Sequence, residues 1–212
     1  MKKFFVLGVL FALPIVAYLF FSSGINHFAK LPVLNEEVQD LQGLETLDGN
    51  PVTFEDHISI LAFFGNDLQK IRGNTFNLDQ KILEKYYDFE DFQFVIVLPE
   101  EAKEQVEDFV EQFSGISHSN KWRFVFASPE KIQSVFNSIG SPHKLDADYF
   151  SPYVYIIDKE ASLRGRDDDE DHGTLYGYDS ASVAELSNKM NDDVKVILAE
   201  YRLELKKYKA KR

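Results

Sequence analysis

Ile58-Ser59-Ile60-Leu61-Ala62-Phe63-Phe64, followed by Gly65-Asn66-Asp67, is the stretch on which the fold turns. The seven residues from Ile58 are almost all apolar, the pattern of a strand covered on both faces, and Asn66 or Asp67 can then cap a helix. Helical spacing follows through Leu78, Ile82, Leu83 and Tyr86. The alternation continues downstream. Phe92 to Leu98 is a second buried strand, and Ala102, Val106, Phe109, Val110 and Phe113 recur at helical spacing. Trp122 to Phe126 is a third strand. Ser128-Pro129 then supplies an N-cap and a first-turn proline for a helix with Ile132, Val135, Phe136 and Ile139 on its apolar face, stopped at Gly140. Tyr153 to Ile157 and Leu163 to Arg166 read as further strands. The last helix opens on the capping box Ser182-Val183-Ala184-Glu185 and presents Val183, Leu186, Met190, Val194, Ile197, Leu198, Tyr201 and Leu205. Upstream, Asp48-Gly49 between Leu44–Leu47 and Val52–Phe54 is a hairpin signal, because glycine supplies the positive φ that the turn needs. Strands separated by helices imply an α/β domain: a central sheet with parallel neighbours, flanked by helices.

Ahead of this domain, Met1-Lys2-Lys3 precedes an uncharged, apolar stretch from Phe4 to Phe21. Its length is just enough to cross a hydrocarbon core about 30 Å thick, and Pro14 is tolerated in a spanning helix. Residues 1–21 read as an N-terminal transmembrane anchor with the N-terminus inside, or as a signal peptide cleaved near Ser22-Ser23-Gly24. Residues 22–44 then form a juxtamembrane linker, 45–205 the folded domain and 206–212 a basic tail. The chain has no cysteine, which excludes lipidation at a cysteine, disulfide staples and thiol chemistry. A hydrophobic fraction of 44% supports a sizeable core, and a net charge of −12 argues against nucleic acid, whose phosphates need a basic face.

The order of elements and several phrases resemble the Sco (SenC) branch of the thioredoxin-like superfamily. Thr46-Leu47-Asp48-Gly49-Asn50-Pro51-Val52-Thr53 is similar to that family's opening hairpin, and Ile60-Leu61-Ala62-Phe63-Phe64 to the strand leading into its active site. Tyr153-Val154-Tyr155-Ile156-Ile157-Asp158, with Leu163-Arg164-Gly165 after it, resembles the strand ending in Asp and its paired edge strand. Ser151-Pro152 resembles the cis-proline preceding that strand in many thioredoxin-like proteins. The resemblance implies a single-pass protein of the bacterial inner membrane, with its domain in the periplasm and a role in copper handling or thiol reduction.

The same resemblance places a Cys-x-x-x-Cys motif after Phe63-Phe64, at a helix start where a thiolate is favoured. By register Asp67 and Ile71 stand where the two sulfurs would be, and the family's histidine ligand falls on Phe150. A carboxylate, an alkyl group and a phenyl ring do not hold Cu(I), which prefers sulfur and imidazole. The expectation is no resident cofactor and no catalytic residue, with Asp67 serving as a helix cap.

Asp167-Asp168-Asp169-Glu170-Asp171-His172 reads as a solvated acidic loop. Its alternative is a cation site using Asp168, Asp171 and His172, although its spacing is not that of an EF-hand. The histidines at 27, 57, 118 and 143 read as surface residues without metal-ligand spacing, and common hydrolase and nucleotide motifs are absent. Lys206-Lys207-Tyr208-Lys209-Ala210-Lys211-Arg212 either complements a helix dipole or meets anionic lipid. The reading that unites these features is a membrane-anchored binding or assembly module with lipid and protein partners. Its alternatives are copper handling or oxidase assembly through relocated ligands, and an enzyme using Asp67 or the acidic loop.

Overall fold

The computed structural model describes residue 3 and residues 10–16, 30–112 and 119–210. Residues 10–16 are helical (α1) and expose Leu10, Phe11 and Leu13. The rest of the expected anchor lies outside the described residues, apart from Lys3. Among those described, no helix is long and apolar enough to cross a membrane.

The domain begins earlier than the sequence reading placed it. β1 (Val33–Asn35) pairs with β7 (Leu163–Arg164), and Leu31, Val38 and Leu41 are buried, so residues 31–44 belong to the sheet and its core. Leu31, Val38 and Leu41 bring apolar surface that is more stable against the sheet than in water. β2 (Glu45–Thr46) is followed by β3 (Ile58–Phe64), α2 (Leu68–Leu78) and a π-helical turn, Asp79–Leu83, leading into α3 (Glu84–Tyr86). Next come β4 (Phe92–Pro99), α4 (Lys103–Gln112), β5 (Trp122–Ala127), α5 (Pro129–Ser138) and β6 (Phe150–Ile157). After β7 come β8 (Arg166–Asp169), β9 (Gly173–Leu175), β10 (Tyr178–Asp179), α6 (Val183–Glu185), a second π-helical turn Leu186–Met190 and α7 (Asn191–Ala210).

The main sheet runs β1-β7-β6-β3-β4-β5-β2, with β10 also against β6. β3 is buried along its whole length, as its apolar run requires. Ile58, Ile60, Ala62 and Phe64 enter one core layer with Ile71, Ile82 and Leu198, whereas Leu61 and Phe63 enter the other with Val135 and Ile139. β3, β4 and β5 are parallel, but β6 is antiparallel to β3, which departs from the expected parallel order. The reason is the connection after α5. Residues 140–149 can extend roughly 33 Å, more than the roughly 26 Å of an eight-residue strand, so the chain returns to the carboxyl end of β3 before β6 starts.

Two local expectations also change. Asp48-Gly49 does form a turn, with Gly49 at φ +71° and its amide on the Thr46 carbonyl at 3.3 Å. The turn does not close a hairpin: β2 pairs with β5, while Val52 and Phe54 bury in the core. The acidic run is not a free loop, because β8 and β9 pair antiparallel across it. Lys189 Nζ lies 2.8 Å from Asp169 Oδ1 and 2.7 Å from Asp171 Oδ2, so one ammonium bridges two of these carboxylates.

Candidate functional site

The site expected from the sequence lies at the carboxyl end of β3. There Gly65 takes φ +61° and passes so close to the start of β6 that a Cβ would sit 2.5 Å from the Asp148 carbonyl. Such an approach needs glycine. Asp67 follows as the N-cap of α2, accepting from the Gln69 amide at 2.9 Å and from that of Lys70 at 3.4 Å. Its carboxylate satisfies helix-start donors and opposes the helix dipole favourably. Ile71, one turn later, has no exposed surface and packs in the core.

Phe150 opens β6 against Phe64, the ring centroids 6.3 Å apart. The tight turn ahead holds it there: Asp146 Oδ1 accepts from the amides of Asp148 and Phe150, both at 2.9 Å, and the Asp146 amide donates to the Phe150 carbonyl. Lys70 reaches across from α2 with its Nζ 4.4 Å from the Phe150 ring centroid and 3.7 Å from Asp146 Oδ2. The structure therefore does bring Asp67, Ile71 and Phe150 to one end of the sheet, each already engaged: a cap, a core side chain and a ring under a lysine. Lys70 and Asp146, which complete the arrangement, carry no distinctive spacing in the sequence. Only the approach of the 146–150 turn to α2 reveals them.

Pro152 lies beside this site, but no peptide bond among the described residues is cis, which corrects the expected cis-proline. The registers Ala62↔Val154 and Phe64↔Phe150 place Ser151–Tyr153 in a bulge opposite Phe63. Proline's missing N–H costs the ladder nothing there. The Pro152 carbonyl accepts from the Ser180 amide at 2.8 Å and from Ser180 Oγ at 2.6 Å, tying β6 to β10.

Asp168, Asp171 and His172 are all exposed on the β8–β9 hairpin. Among the described residues, no three His, Asp or Glu side chains converge as a metal ion would require. Asp169, which the cation reading passed over, is the buried carboxylate of the group. Despite its burial, the hydrogen bond and charge of Lys189 and the amides of Asp171 and His172 hold its pKa below the ordinary value.

His143 departs from the surface reading. It is half-buried, stacked on Tyr153 at 3.6 Å between centroids, with Nδ1 3.1 Å from the Tyr155 hydroxyl. Burial first, and then the nearby His172 charge, lower its pKa. Burial pushes the Tyr155 phenol up to about 12, so it stays a neutral hydroxyl. At the opposite end of the sheet, a cavity of about 290 Å³ is lined by Ile58, Phe89, Asp91, Lys159, Leu198 and Tyr201, away from the positions the resemblance marked.

A β3-α2-β4 unit with β6 antiparallel beside β3 and the 150–152 segment facing the start of α2 defines the thioredoxin-like class of fold. Solved structures similar to this chain include a SCO1/SenC family lipoprotein from Bacillus anthracis str. Ames, 17% identical with a TM-score of 0.56, matched over 79% of this chain and 99% of that one. They also include BsSco, described as a member of the Sco family of cytochrome c oxidase assembly proteins, 15% identical with a TM-score of 0.57, over 80% of this chain and 96% of that one. A putative electron transfer protein from Aquifex aeolicus VF5 is 17% identical with a TM-score of 0.53, over 77% and 92%. No protein-family model and no curated protein matches the chain. The likeness is one of fold: a thioredoxin-like domain, similar in fold to those solved Sco structures, in a chain without cysteine.

Proposed function

We propose that this protein is a membrane-tethered, Sco-type thioredoxin-like domain that acts as a non-catalytic binding or assembly module on the periplasmic side of a bacterial inner membrane. The observation that carries this reading is the engagement of all three erased ligand positions: Asp67 caps α2, Ile71 is core and Phe150 lies under Lys70. Thiol exchange needs a sulfur that the chain does not have. The tether reading draws on the apolar run from Phe4 to Phe21 and on helical residues 10–16, whose exposed Leu10, Phe11, Leu13, Ile15 and Val16 suit a lipid or protein environment better than water. BsSco is described with cytochrome c oxidase assembly, which makes a membrane complex the class of partner to seek.

The test places a photo-crosslinking side chain at Phe76, 54% exposed on α2, and as a control at Tyr87 in intact membranes. A discrete membrane-protein adduct from position 76 and none from 87 is expected. No adduct from either position overturns the module reading. A parallel calorimetric titration of the full chain with Cu(I), Cu(II) and Zn²⁺ tests relocated ligands: micromolar or tighter binding abolished by His172→Ala would replace this reading with metal handling.

A further inference from the structure

The point where the described domain begins and the middle of its last helix are clasped together. Arg164 donates through Nε and Nη2 to the Leu31 carbonyl at 2.8 and 2.5 Å, and its Nη2 also lies 2.7 Å from Glu200 Oε2 on α7. Lys30 Nζ meets the other oxygen of the same carboxylate at 3.0 Å. Residues 30 and 31 are thus pinned beside Glu200. α7 descends along the sheet from Asp193, which accepts from the Tyr178 hydroxyl at 2.7 Å, to Tyr201, whose hydroxyl bonds to Glu160 just beyond the end of β6. Beyond Arg202, which still lines the cavity beside Ile58, the helix continues to Ala210, a further rise of roughly 12 Å. This overhang carries Lys206, Lys207 and Lys209, with Lys211 and Arg212 following in the sequence, on a chain whose net charge is −12.

We propose that the C-terminal overhang of α7 is a second membrane contact that docks on anionic lipid headgroups and sets the orientation of the domain. The proposal rests on the tether reading above. Residues 22–29, between the expected anchor and Lys30, can span at most roughly 28 Å, so a membrane holding residues 4–21 lies within reach of the helix end. An anionic surface repels the acidic body and attracts the basic overhang, which turns the amino end of β3 toward lipid. The site at Gly65, Asp67 and Phe150, roughly 20 Å away at the other end of β3, then faces outward to a partner.

The experiment uses the full chain in nanodiscs of phosphatidylcholine, with and without about one-third phosphatidylglycerol, and reads amide hydrogen exchange at residues 203–210. Exchange at least about fivefold slower with phosphatidylglycerol is expected, reversed at about 0.5 M NaCl, where the screening length is only a few ångströms. The triple variant Lys206→Gln, Lys207→Gln, Lys209→Gln should lose the difference while β3 and β4 keep their protection. Equal exchange in the two lipids, or protection that survives in the variant, overturns the proposal and leaves the lysines as helix-dipole partners. Flotation of the full chain with neutral vesicles at about 1 M NaCl reads the tether alone. A chain that fails to float refutes the tether, while phosphatidylglycerol vesicles still report on the overhang.

Discussion

Arg164 Nη1 lies 2.9 Å from Asp158 Oδ2 with the two side chains only 5% and 3% exposed. Burial opposes the guanidinium charge, but the hydrogen bond that Arg164 donates to Asp158 and the field of Glu200 outweigh it and raise the pKa. One cation thereby joins the strand-ending Asp, the start of the domain at Leu31 and α7 at Glu200. Removing it leaves buried Asp158 without its cation and the Leu31 carbonyl without its side-chain donor, while Glu200 keeps Lys30, so Arg164→Leu should lower unfolding free energy by about 3–5 kcal/mol, the range for breaking a buried pair. Urea unfolding followed by Trp122 fluorescence checks this; a loss under about 1 kcal/mol would show that water replaces the arginine.

Asp67 acts as a cap, so Asp67→Ala should cost about 1 kcal/mol and Asp67→Asn much less, since asparagine caps nearly as well. A role for its charge in chemistry predicts the reverse ranking, with Asn as damaging as Ala to partner capture. Denaturation and crosslinking yield measured on the same three proteins separate the two.

Gly65→Ala combines a left-handed backbone with a collision against the Asp148 carbonyl. A destabilisation of about 1–3 kcal/mol is expected, with the loss concentrated in protection of the 146–150 turn. Gly49→Ala, also left-handed but with open space around its Cβ, should cost less. Equal losses at the two positions would remove the close approach as the cause. Thermal melts of both variants make the comparison.

The pKa of His143 lies below its ordinary value, so the folded state takes up the proton less readily than the unfolded chain. Above the unfolded pKa of about 6.5 both states are neutral, and as pH falls through and below that value the unfolded state is favoured. Stability should therefore fall more steeply between about pH 7.5 and 5.5 in the native protein than in His143→Gln. The groups facing the imidazole are His172, Tyr153 and Tyr155, whose hydroxyl also meets Ser141. Parallel slopes of urea midpoint against pH for the two proteins would assign the acid sensitivity to other groups.

Much of the fold is legible in residues whose signals are local. Ser128 accepts from the Lys131 amide and Pro129 opens α5 as read. Ser182 caps α6 through the Glu185 amide, but Glu185 accepts from Asp179 rather than completing the box with Ser182, because β10 brings the Asp179 amide within reach. The family resemblance, counted along the chain, marked Asp67, Ile71 and Phe150, and the structure brings these three residues to one end of the sheet. Lys70 and Asp146 were not legible, because their meeting with Phe150 requires residues on α2 and the 146–150 turn to converge through the sheet.

The sequence by itself determined the absence of thiol chemistry, the buried parallel strands and the caps of their helices, since these depend on residue type and on spacing within a few turns of chain. Tertiary structure decided that β6 runs antiparallel, that Val52 and Phe54 serve the core instead of a hairpin, and that Arg164 fastens Leu31 to Glu200. These outcomes depend on competition among partners distant in the chain for the same buried surface and the same hydrogen bonds, and only the assembled sheet selects one of them.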